Sequence, residues 1–392
     1  MSARELALRR VGAGARGRRR RPRALRPLPR PVPTGRACCR SGHRVSRRRP
    51  LNEPLLRTVE LTRHFRIGGL LSSKTLHAVD DVEFTIERAE IVALVGESGS
   101  GKSTIARLLA LIYHPTNGEI YFEERPLSRL RSRKQRLAYS GDVPLVFQDP
   151  YAAINPAYRV THGINRALKL HRPDLGYRQR QGEVERVLDA VGLVPPGDIV
   201  ARFPHELSGG QRQRIGFAQA LALRPKLIVA DEPVSMLDVS IRIGILNLMS
   251  ELRDREGVSF LYITHDVGSA RYIADRVLVL YAGHIVEEGP TEEVIQRPKH
   301  PYTQLLLSAV PDPRSTLLGL ADTTDVGEPP KVVDPGEGCR FRSRCPFAIA
   351  RCETETPRLR ALGQARLVAC HVAELDRERA PALARARPSE DT

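Results

Sequence analysis

The sequence has no apolar run as long as the ~18 residues that a membrane-spanning helix requires. If this protein acts at a membrane, other chains must span it. Cysteines are also few, six in 392 residues, and nothing suggests secretion, so we do not expect a disulfide framework. Beyond residue 50, basic and acidic residues nearly balance. The bulk charge of this larger part therefore does not favour a basic nucleic-acid-binding face.

The net charge of +17 is concentrated at the start of the chain. Residues 1–50 contain 17 arginines and a single acid, Glu5. Such a segment cannot bury enough apolar surface to fold, and it lacks the continuous apolar stretch of a secretory signal. We expect residues 1–52 to be a disordered arm, or translated sequence upstream of the true start. An arm that binds anionic lipid or RNA is the alternative.

Composition divides the rest of the chain into three regions. Residues 53–310 alternate short apolar runs with helical patterns, which is typical of an α/β domain. Residues 311–372 are rich in Pro and Gly and then in Cys, and we expect residues 373–392 to be a frayed tail.

Three short apolar runs predict neighbouring strands of a parallel sheet: Ile91–Val95, Leu227–Ala230 and Phe260–Ile263. The residues that follow them are, in order, Gly96, Asp231-Glu232 and Thr264-His265. Open α/β sheets bind ligands at the C-terminal ends of their strands. The sequence therefore predicts a site at this edge.

The segment Gly96-Glu97-Ser98-Gly99-Ser100-Gly101-Lys102-Ser103 fits the phosphate-loop pattern G-x-x-x-x-G-K-S. Glycines let the backbone turn its amides towards phosphates without Cβ clashes. We expect Lys102 to reach the β- and γ-phosphates of ATP and Ser103 to give its hydroxyl to Mg²⁺. A helix over Gly101–His114 would aim its positive N-terminus at the same anion. A plain glycine-rich turn is the alternative, but the strand before it and the helix after it favour phosphate binding.

Polar side chains after the other strands suit ATP hydrolysis. We expect Asp231 to hold Mg²⁺, directly or through water, and Glu232 to act as general base on the attacking water. His265 is expected to sense the γ-phosphate and orient Glu232. Gln148 could ligate Mg²⁺ or position the water. Taken alone, the two acids would more simply cap a helix.

The segment Leu207-Ser208-Gly209-Gly210-Gln211 resembles the signature motif of the ABC ATPases. The resemblance covers about residues 56–310. It implies a P-loop ATPase with a RecA-like α/β core, an antiparallel β subdomain and a helical signature subdomain over about residues 150–215. Residues 311–372 would be a Cys-containing C-terminal extension.

Other segments match the motifs of the same family. The matches are Gly96–Ser103 for Walker A, with Thr104 beside it in the nucleotide site, Gln148 for the Q-loop, Leu227–Asp231 for Walker B, Glu232 for the catalytic glutamate, Ser235–Asp238 for the D-loop, and His265 for the switch histidine. Phe65, with Val79, resembles the aromatic platform that stacks on adenine.

The resemblance implies that two subunits sandwich two ATP molecules head to tail. Ser208 and Gly210 of one subunit would donate hydrogen bonds to the γ-phosphate held by the other, because they precede a helix whose dipole favours an anion. ATP would join the subunits, and hydrolysis would release them.

Four segments resemble the ATPases of oligopeptide/dipeptide importers, a group that includes nickel importers: Val146–Pro156, Asp231–Ser240, His300–Thr303 and Gly338–Pro346. This implies that ATP hydrolysis powers import of peptides or similar small solutes. The protein would be peripheral, at the cytoplasmic face of the inner membrane. The partners would be two permease subunits, a sister ATPase or a second copy, and indirectly an extracytoplasmic solute-binding protein, with no specific nucleic acid. Permease helices would contact the helical subdomain near Phe147, Tyr151 and Tyr158.

Two residues depart from the family pattern. Met236 stands where the D-loop usually has Ala, and Gln219 stands where an Arg usually follows the signature helix. Met236 adds bulk at a subunit interface, and the group resemblance also favours pairing with a sister ATPase over self-pairing.

Four cysteines follow the ATPase region: Cys339, Cys345, Cys352 and Cys370. Zinc sites usually have tighter pairs, whereas a [4Fe-4S] cluster held by four thiolates tolerates looser spacing. Reduced thiols that merely pack are the third possibility.

Two other functions remain open from the sequence. A soluble ABC ATPase acting on nucleic acid or ribosomes is the main alternative, but each nucleotide motif occurs once and no long heptad insertion is present. A redox-sensing role of the cysteines could be added to either function.

Overall fold

The computed structural model describes residues 53–68, 74–149, 154–308, 332–363 and 365–373. The predicted arm over residues 1–52, the tail from residue 374, Cys38, Cys39 and Tyr151 lie outside these ranges.

Twelve strands are present in the described residues. They are β1 Leu56–Ile67, β2 Lys74–Ile86, β3 Ile91–Val95, β4 Asn117–Phe122, β5 Arg125–Pro126, β6 Leu145–Val146, β7 Leu227–Asp231, β8 Ser259–Thr264, β9 Arg276–Tyr281, β10 His284–Pro290, β11 Arg360–Ala361 and β12 Leu367–Val368.

Helices connect most of these strands. They are α1 Lys102–Leu109, α2 Arg133–Asp142, α3 Thr161–His171, α4 Tyr177–Ala190, α5 Pro196–Val200, α6 Gly209–Leu221, α7 Val239–Glu256, α8 Val267–Ile273, α9 Thr291–Gln296, α10 Pro301–Ser308 and α11 Arg351–Thr354, with 3₁₀ turns at Leu127–Arg129, Pro204–Glu206 and Arg342–Arg344. Among the described residues, none of these helices is long and apolar enough to cross a membrane.

The larger sheet has the strand order β11-β12-β10-β9-β3-β8-β7-β6. Strands β6 to β9 and β3 pair in parallel, and β10, β12 and β11 extend the sheet antiparallel. The three predicted central strands are confirmed as β3, β8 and β7, which lie side by side. Their C-terminal ends therefore meet at one edge, where α/β sheets bind ligands.

The central strands are buried on both faces, as parallel strands require. Ile91, Ala93 and Val95 of β3 join a core with helices α3 to α7. The alternate residues Val92 and Leu94 join a second core with α1 and the antiparallel sheet. That smaller sheet has the order β2-β1-β4-β5 and confirms the predicted antiparallel subdomain.

Helix α1 ends earlier than predicted. It stops at Leu109 instead of His114, because Leu111 adopts a left-handed φ of 55°. By contrast, α6 begins directly after Ser208, whose hydroxyl oxygen accepts from the Gln211 amide at 3.2 Å. This capping box fixes where the signature helix starts.

The described residues from 332 onwards attach to the ATPase region at several places. Strand β12 pairs with β10, and Val333 bridges Leu76 of β2. A buried ion pair between Arg366 and Glu287 supports the first contact, with Arg366 Nε 2.9 Å from the carboxylate. The segment is therefore fastened to the edge of the main sheet.

Candidate nucleotide site

A cleft of about 770 Å³ lies beside the phosphate loop, at the ligand-binding edge of the main sheet. The residues that line it are Phe65, Leu76, His77, Ala78, Ser98, Gly99, Gly101, Lys102, Ser103, Thr104, Gln148, Glu232, His265, Ala282 and Val332. The structure thus brings together predicted residues from the ends of several strands.

Gly101 allows the phosphate loop to lie close against β2. Its φ is 110°, and a Cβ at this position would lie 2.2 Å from the carbonyl oxygen of Ala78. Any other residue would clash with the neighbouring backbone, so the pattern needs glycine here. Helix α1 begins at the next residue, which places its positive N-terminus at the cleft.

The Lys102 ammonium is held inside the loop. Its Nζ donates to the carbonyl oxygens of Gly96 and Glu97, both at 2.8 Å, and the residue is 5% exposed. Burial lowers the pKa of Lys102, while the nearby carboxylates of Glu232, Asp231 and Glu97 oppose this shift. A triphosphate in the cleft would further favour the charged form.

Ser103 and Asp231 form the predicted magnesium position. The Ser103 hydroxyl donates to Asp231 Oδ1 at 3.1 Å. Burial raises the pKa of Asp231, and the hydrogen bond from Ser103 partly offsets this. A bound cation would favour the ionised carboxylate. Hydroxyl and carboxylate oxygens are ligands that Mg²⁺ prefers, so these residues fit the ion.

Glu232 lies between side chains from two other segments. Its Oε2 accepts from Gln148 Nε2 at 2.9 Å, and its Oε1 is 3.3 Å from His265 Nδ1. Its backbone has a left-handed φ of 47°, while its amide donates to Ile263 of β8 at 3.0 Å. Such strained backbone clusters at functional sites, and here it aims the carboxylate across the strand ends.

Phe65 lines the cleft, but Val79 does not. The guanidinium of Arg63 lies 4.6 Å from the Phe65 ring centroid, and the Tyr113 ring approaches edge-on at 5.3 Å. Val79 is fully buried in the core. Ala78 lines the cleft in its place, contrary to the predicted pairing of Phe65 with Val79.

The signature segment does not line this cleft. Ser208 caps α6 as an acceptor, which leaves its hydroxyl hydrogen able to donate elsewhere. Leu207 and Gly210 are buried, and Gly210 is packed so closely that a Cβ would lie 2.4 Å from Ile241. Gln211 completes the capping box through its side chain at 3.0 Å from the Ser208 amide.

The predicted D-loop, Ser235–Asp238, begins beside Glu232. The Ser235 hydroxyl donates to the Glu232 carbonyl oxygen at 3.0 Å and also lies 3.4 Å from Gln148 Nε2. Asp238 precedes α7 and makes no side-chain cap. Met236 is 62% exposed on the same turn.

Sequence reasoning missed several residues of the cleft, notably His77 and Val332. The His77 amide donates to the Val332 carbonyl oxygen at 2.9 Å, so the segment that contains Val332 borders the cleft beside β2. Neither residue belongs to a motif, and this pairing is distant in sequence. No sequence signal could have identified it.

The four C-terminal cysteines are reduced and lie near one another. The Cys339 amide donates to the Cys352 carbonyl oxygen at 2.8 Å, and Cys352 and Cys370 are buried. Burial raises the pKa of the Cys339 thiol to about 11 and also raises the pKa values of Cys345 and Cys370. Neighbouring thiolates add to each shift.

Among the described residues, no three of these sulfurs lie within 4.8 Å of one another. A tetrahedral zinc ion with ~2.3 Å bonds needs closer sulfurs, so this arrangement does not fit zinc. His64, His77 and Asp80 do lie that close, but Asp80 is paired with Arg340 at 2.5 Å. The Asp80 charge is therefore already matched by a guanidinium.

Comparisons with known proteins agree with this geometry. Residues 79–235 match the family model "ABC transporter", and residues 286–352 match "Oligopeptide/dipeptide transporter, C-terminal region". The oligopeptide transport ATP-binding protein AppF of Bacillus subtilis is 40% identical over 326 residues, which cover 82% of this chain and 98% of that protein. The di/tripeptide transport ATP-binding protein DppF of Pseudomonas aeruginosa is 41% identical, with the same coverage.

Solved structures show the same fold. The dimeric ATP-binding cassette MJ0796 bound to ADP and Pi has a TM-score of 0.54 and 26% identity, and the match covers 60% of this chain and 98% of that chain. CbiO1 of Clostridium perfringens, part of an ABC transporter complex, also has a TM-score of 0.54 and 26% identity, with coverage of 63% and 92%. The chain therefore belongs to the ABC transporter family, as an ATP-hydrolysing ATP-binding protein related to those of oligopeptide and dipeptide transporters.

Proposed function

We propose that this chain hydrolyses ATP to power import of peptides or similar small solutes through separate permease subunits. The observation that carries the proposal is the meeting of Lys102, Ser103 and Glu232 in one cleft, with Asp231 hydrogen-bonded to Ser103. It occurs in a chain related along most of its length to peptide-transport ATP-binding proteins.

The predicted residues in and beside the cleft have distinct roles in this proposal. Lys102 and the amides of the phosphate loop bind the β- and γ-phosphates, and Phe65 stacks on adenine. Glu232 accepts a proton from the attacking water, and His265 orients its carboxylate. Ser103, Asp231 and Gln148 would hold Mg²⁺, which neutralises developing charge on the phosphates when bound.

The signature segment acts in this scheme on ATP held by a second ATPase subunit. Its absence from the cleft lining of its own chain supports that assignment. Met236, Val239 and Ile243 are 62%, 71% and 46% exposed beside the D-loop, which offers apolar surface to a partner. The extra bulk of Met236 supports a sister ATPase over a second copy.

A permease helix would dock on the helical subdomain. Two adjoining hollows of about 220 and 210 Å³ share Ile154, Gly163 and Gln219 in their linings. Phe147 and Tyr158 border them, each 49% exposed. Exposed aromatics beside an apolar groove suit an amphipathic helix. The protein would then sit at the cytoplasmic face of the inner membrane, and a solute-binding protein would act through the permeases.

We also propose that the four cysteines of the proposed extension, residues 311–372, hold an iron–sulfur cluster. Four thiolates are the ligands that such a cluster takes, and among the described residues no three of these sulfurs are as close together as zinc requires. A [4Fe-4S] cluster would be held by Cys339, Cys345, Cys352 and Cys370. Anaerobically purified protein should then contain iron and sulfide and absorb visible light, and Cys345→Ser should reduce all three signals.

Transport by the assembled complex tests the main proposal. The chain is reconstituted in lipid vesicles with its permeases and partner ATPase, and Mg-ATP-driven uptake of a labelled oligopeptide is measured with Ni²⁺ as a second cargo. Peptide uptake that Glu232→Gln abolishes without loss of ATP binding supports the proposal. Uptake that survives Glu232→Gln, or ATPase activity that responds only to nucleic acid, contradicts it.

A further inference from the structure

The side chain of Glu97, within the phosphate loop, is bound by an arginine from the C-terminal region, by which we mean the described residues from 286 to 373. Arg344 Nη1 donates to Glu97 Oε2 at 2.9 Å, and Nη2 donates to Oε1 at 3.1 Å. This fork-to-fork geometry fixes both distance and orientation. The two side chains are 12% and 23% exposed, so solvent screens this pair less than an ordinary surface pair.

The backbone of Glu97 is held at two further points. Its amide donates to the Tyr302 hydroxyl at 2.9 Å, and its carbonyl oxygen accepts from Lys102 Nζ at 2.8 Å. One residue of the loop is thus joined both to the phosphate-binding lysine and to two side chains outside the loop. A displacement of Glu97 would therefore displace the acceptor that positions Lys102.

Tyr302 is itself fixed by buried contacts. Its side chain is fully buried, with ring centroids 4.5 Å from Tyr281 and 5.6 Å from Phe341. Its amide donates to His300 Nδ1 at 3.0 Å, and the His300 amide donates to Glu287 at 3.0 Å. Glu287 also binds Arg366. Tyr302 and Arg344, the two residues that hold Glu97, are therefore both connected to other side chains of the C-terminal region.

Arg344 is positioned by the same aromatic cluster. It ends the 3₁₀ turn Arg342–Arg344, which directly follows Phe341. The Phe341 ring packs edge-on against Tyr281 at 5.2 Å, and the Arg344 guanidinium lies 5.8 Å from the Tyr281 centroid. The guanidinium that binds Glu97 therefore also packs against this aromatic cluster.

We propose that Arg344, together with Tyr302, is a positioning residue that holds the phosphate loop in its nucleotide-binding conformation through Glu97. Neither residue needs to touch ATP. A loop held in place before binding loses less conformational entropy when the phosphates arrive. The C-terminal region would thus set nucleotide affinity, an inference that rests on the proposed phosphate-binding role of this loop.

The test compares Arg344→Gln with Arg351→Gln. Arg351 makes the same forked contact with Glu355, at 2.6 and 2.7 Å, but its partner lies outside the loop. We expect Arg344→Gln to raise the Kd for Mg-ATP about tenfold, equivalent to about 1.4 kcal/mol, and to raise KM more than it lowers kcat. Arg351→Gln should change neither. The Kd is measured by equilibrium binding to the purified chain, and KM and kcat in the assembled complex.

Glu97→Gln breaks the pair from the loop side and does not alter the C-terminal region, so it serves if Arg344→Gln fails to fold. The double variant should bind ATP no more weakly than either single variant, because both remove one interaction. Tyr302→Phe, which removes the acceptor of the Glu97 amide, should also weaken binding.

An unchanged Kd in both Arg344→Gln and Glu97→Gln would overturn the inference, as would a fall in thermal stability with the Kd unaltered. Lys102→Ala separates this failure from that of the proposed function. If Lys102→Ala weakens ATP binding and the Glu97 and Arg344 variants do not, only the positioning role is wrong. If Lys102→Ala binds ATP normally, the loop is not the nucleotide site and both proposals are wrong.

Discussion

The nucleotide cleft and the C-terminal region hold their charged groups in different ways. In the cleft, Glu232 and His265 have 17% and 57% exposed side chains and contact each other at 3.3 Å. In the C-terminal region, Glu287 and Arg366 have 0% and 6% exposed side chains, and Glu287 also accepts from the amides of Lys299 and His300. Accessible groups can exchange partners when ATP and a second subunit arrive. Buried groups that make several hydrogen bonds hold the backbone segments around them in one arrangement.

The largest effect should come from the cleft. Glu232→Gln keeps the size of the side chain but removes the proposed general base, so we expect kcat for ATP hydrolysis to fall by roughly 10²–10⁴. ATP binding should persist, and an ATP-bound dimer should accumulate. Phosphate release and size-exclusion chromatography measure the two outcomes.

Glu251→Gln is the control for this change, because Glu251 lies on α7 and is paired only loosely with Arg255 at 3.7 Å. It should leave kcat unaltered. If Glu232→Gln turned over ATP at the wild-type rate, another group would be the base. The accessibility of Glu232 in the cleft would then not serve catalysis.

The next effect concerns stability and comes from the C-terminal region. Arg366→Leu leaves the Glu287 carboxylate buried without its cation, so the free energy of unfolding should fall by about 3–5 kcal/mol. Urea unfolding followed by circular dichroism measures it. Arg351→Leu, which breaks an exposed pair, should barely move the midpoint. Equal effects of the two changes would contradict the contrast between buried and exposed pairs.

A smaller effect depends on pH. Burial lowers the pKa of His300 from 6.5 to about 3. Between these values the unfolded chain binds more protons than the folded chain, so stability is complete above pH 6.5 and falls as the pH drops towards 3. Protonation of His300 in the unfolded chain should by itself lower the free energy of unfolding by roughly 2 kcal/mol between pH 6.5 and 5.

His300→Asn tests this dependence, because an Asn side-chain oxygen can accept from the Tyr302 amide as His300 Nδ1 does. Between pH 6.5 and 5, the free energy of unfolding should fall less in the variant than in the wild type. Above pH 7, plots of this free energy against pH should run parallel for the two proteins. Identical acid sensitivity of the two proteins would show that His300 is not held neutral by burial.

The two regions also differ in how far the sequence predicts them. Strands β3, β7 and β8 and the residues after them were predicted, because short apolar runs and glycine patterns are local signals. The contacts of Arg344 with Glu97 and of Val332 with His77 were not, because each joins segments far apart in the chain. Val79 was placed at the cleft by family analogy, whereas in the structure its side chain is buried in the core.

The smallest effect separates a helix cap from a contact between subunits. Ser132 and Ser208 each begin a helix with the same capping box, to Gln135 and Gln211 respectively. Replacing either serine by alanine should lower stability by about 1 kcal/mol, because each loses one cap hydrogen bond. Only Ser208→Ala should also weaken ATP-dependent dimerisation, since the Ser208 hydroxyl is proposed to reach the γ-phosphate held by the partner.

Sedimentation of Glu232→Gln protein carrying either serine change would measure this dimerisation. Equal dimerisation in the two variants would mean that Ser208 only caps its helix, and that the contact with the partner's nucleotide depends on the backbone of α6 instead.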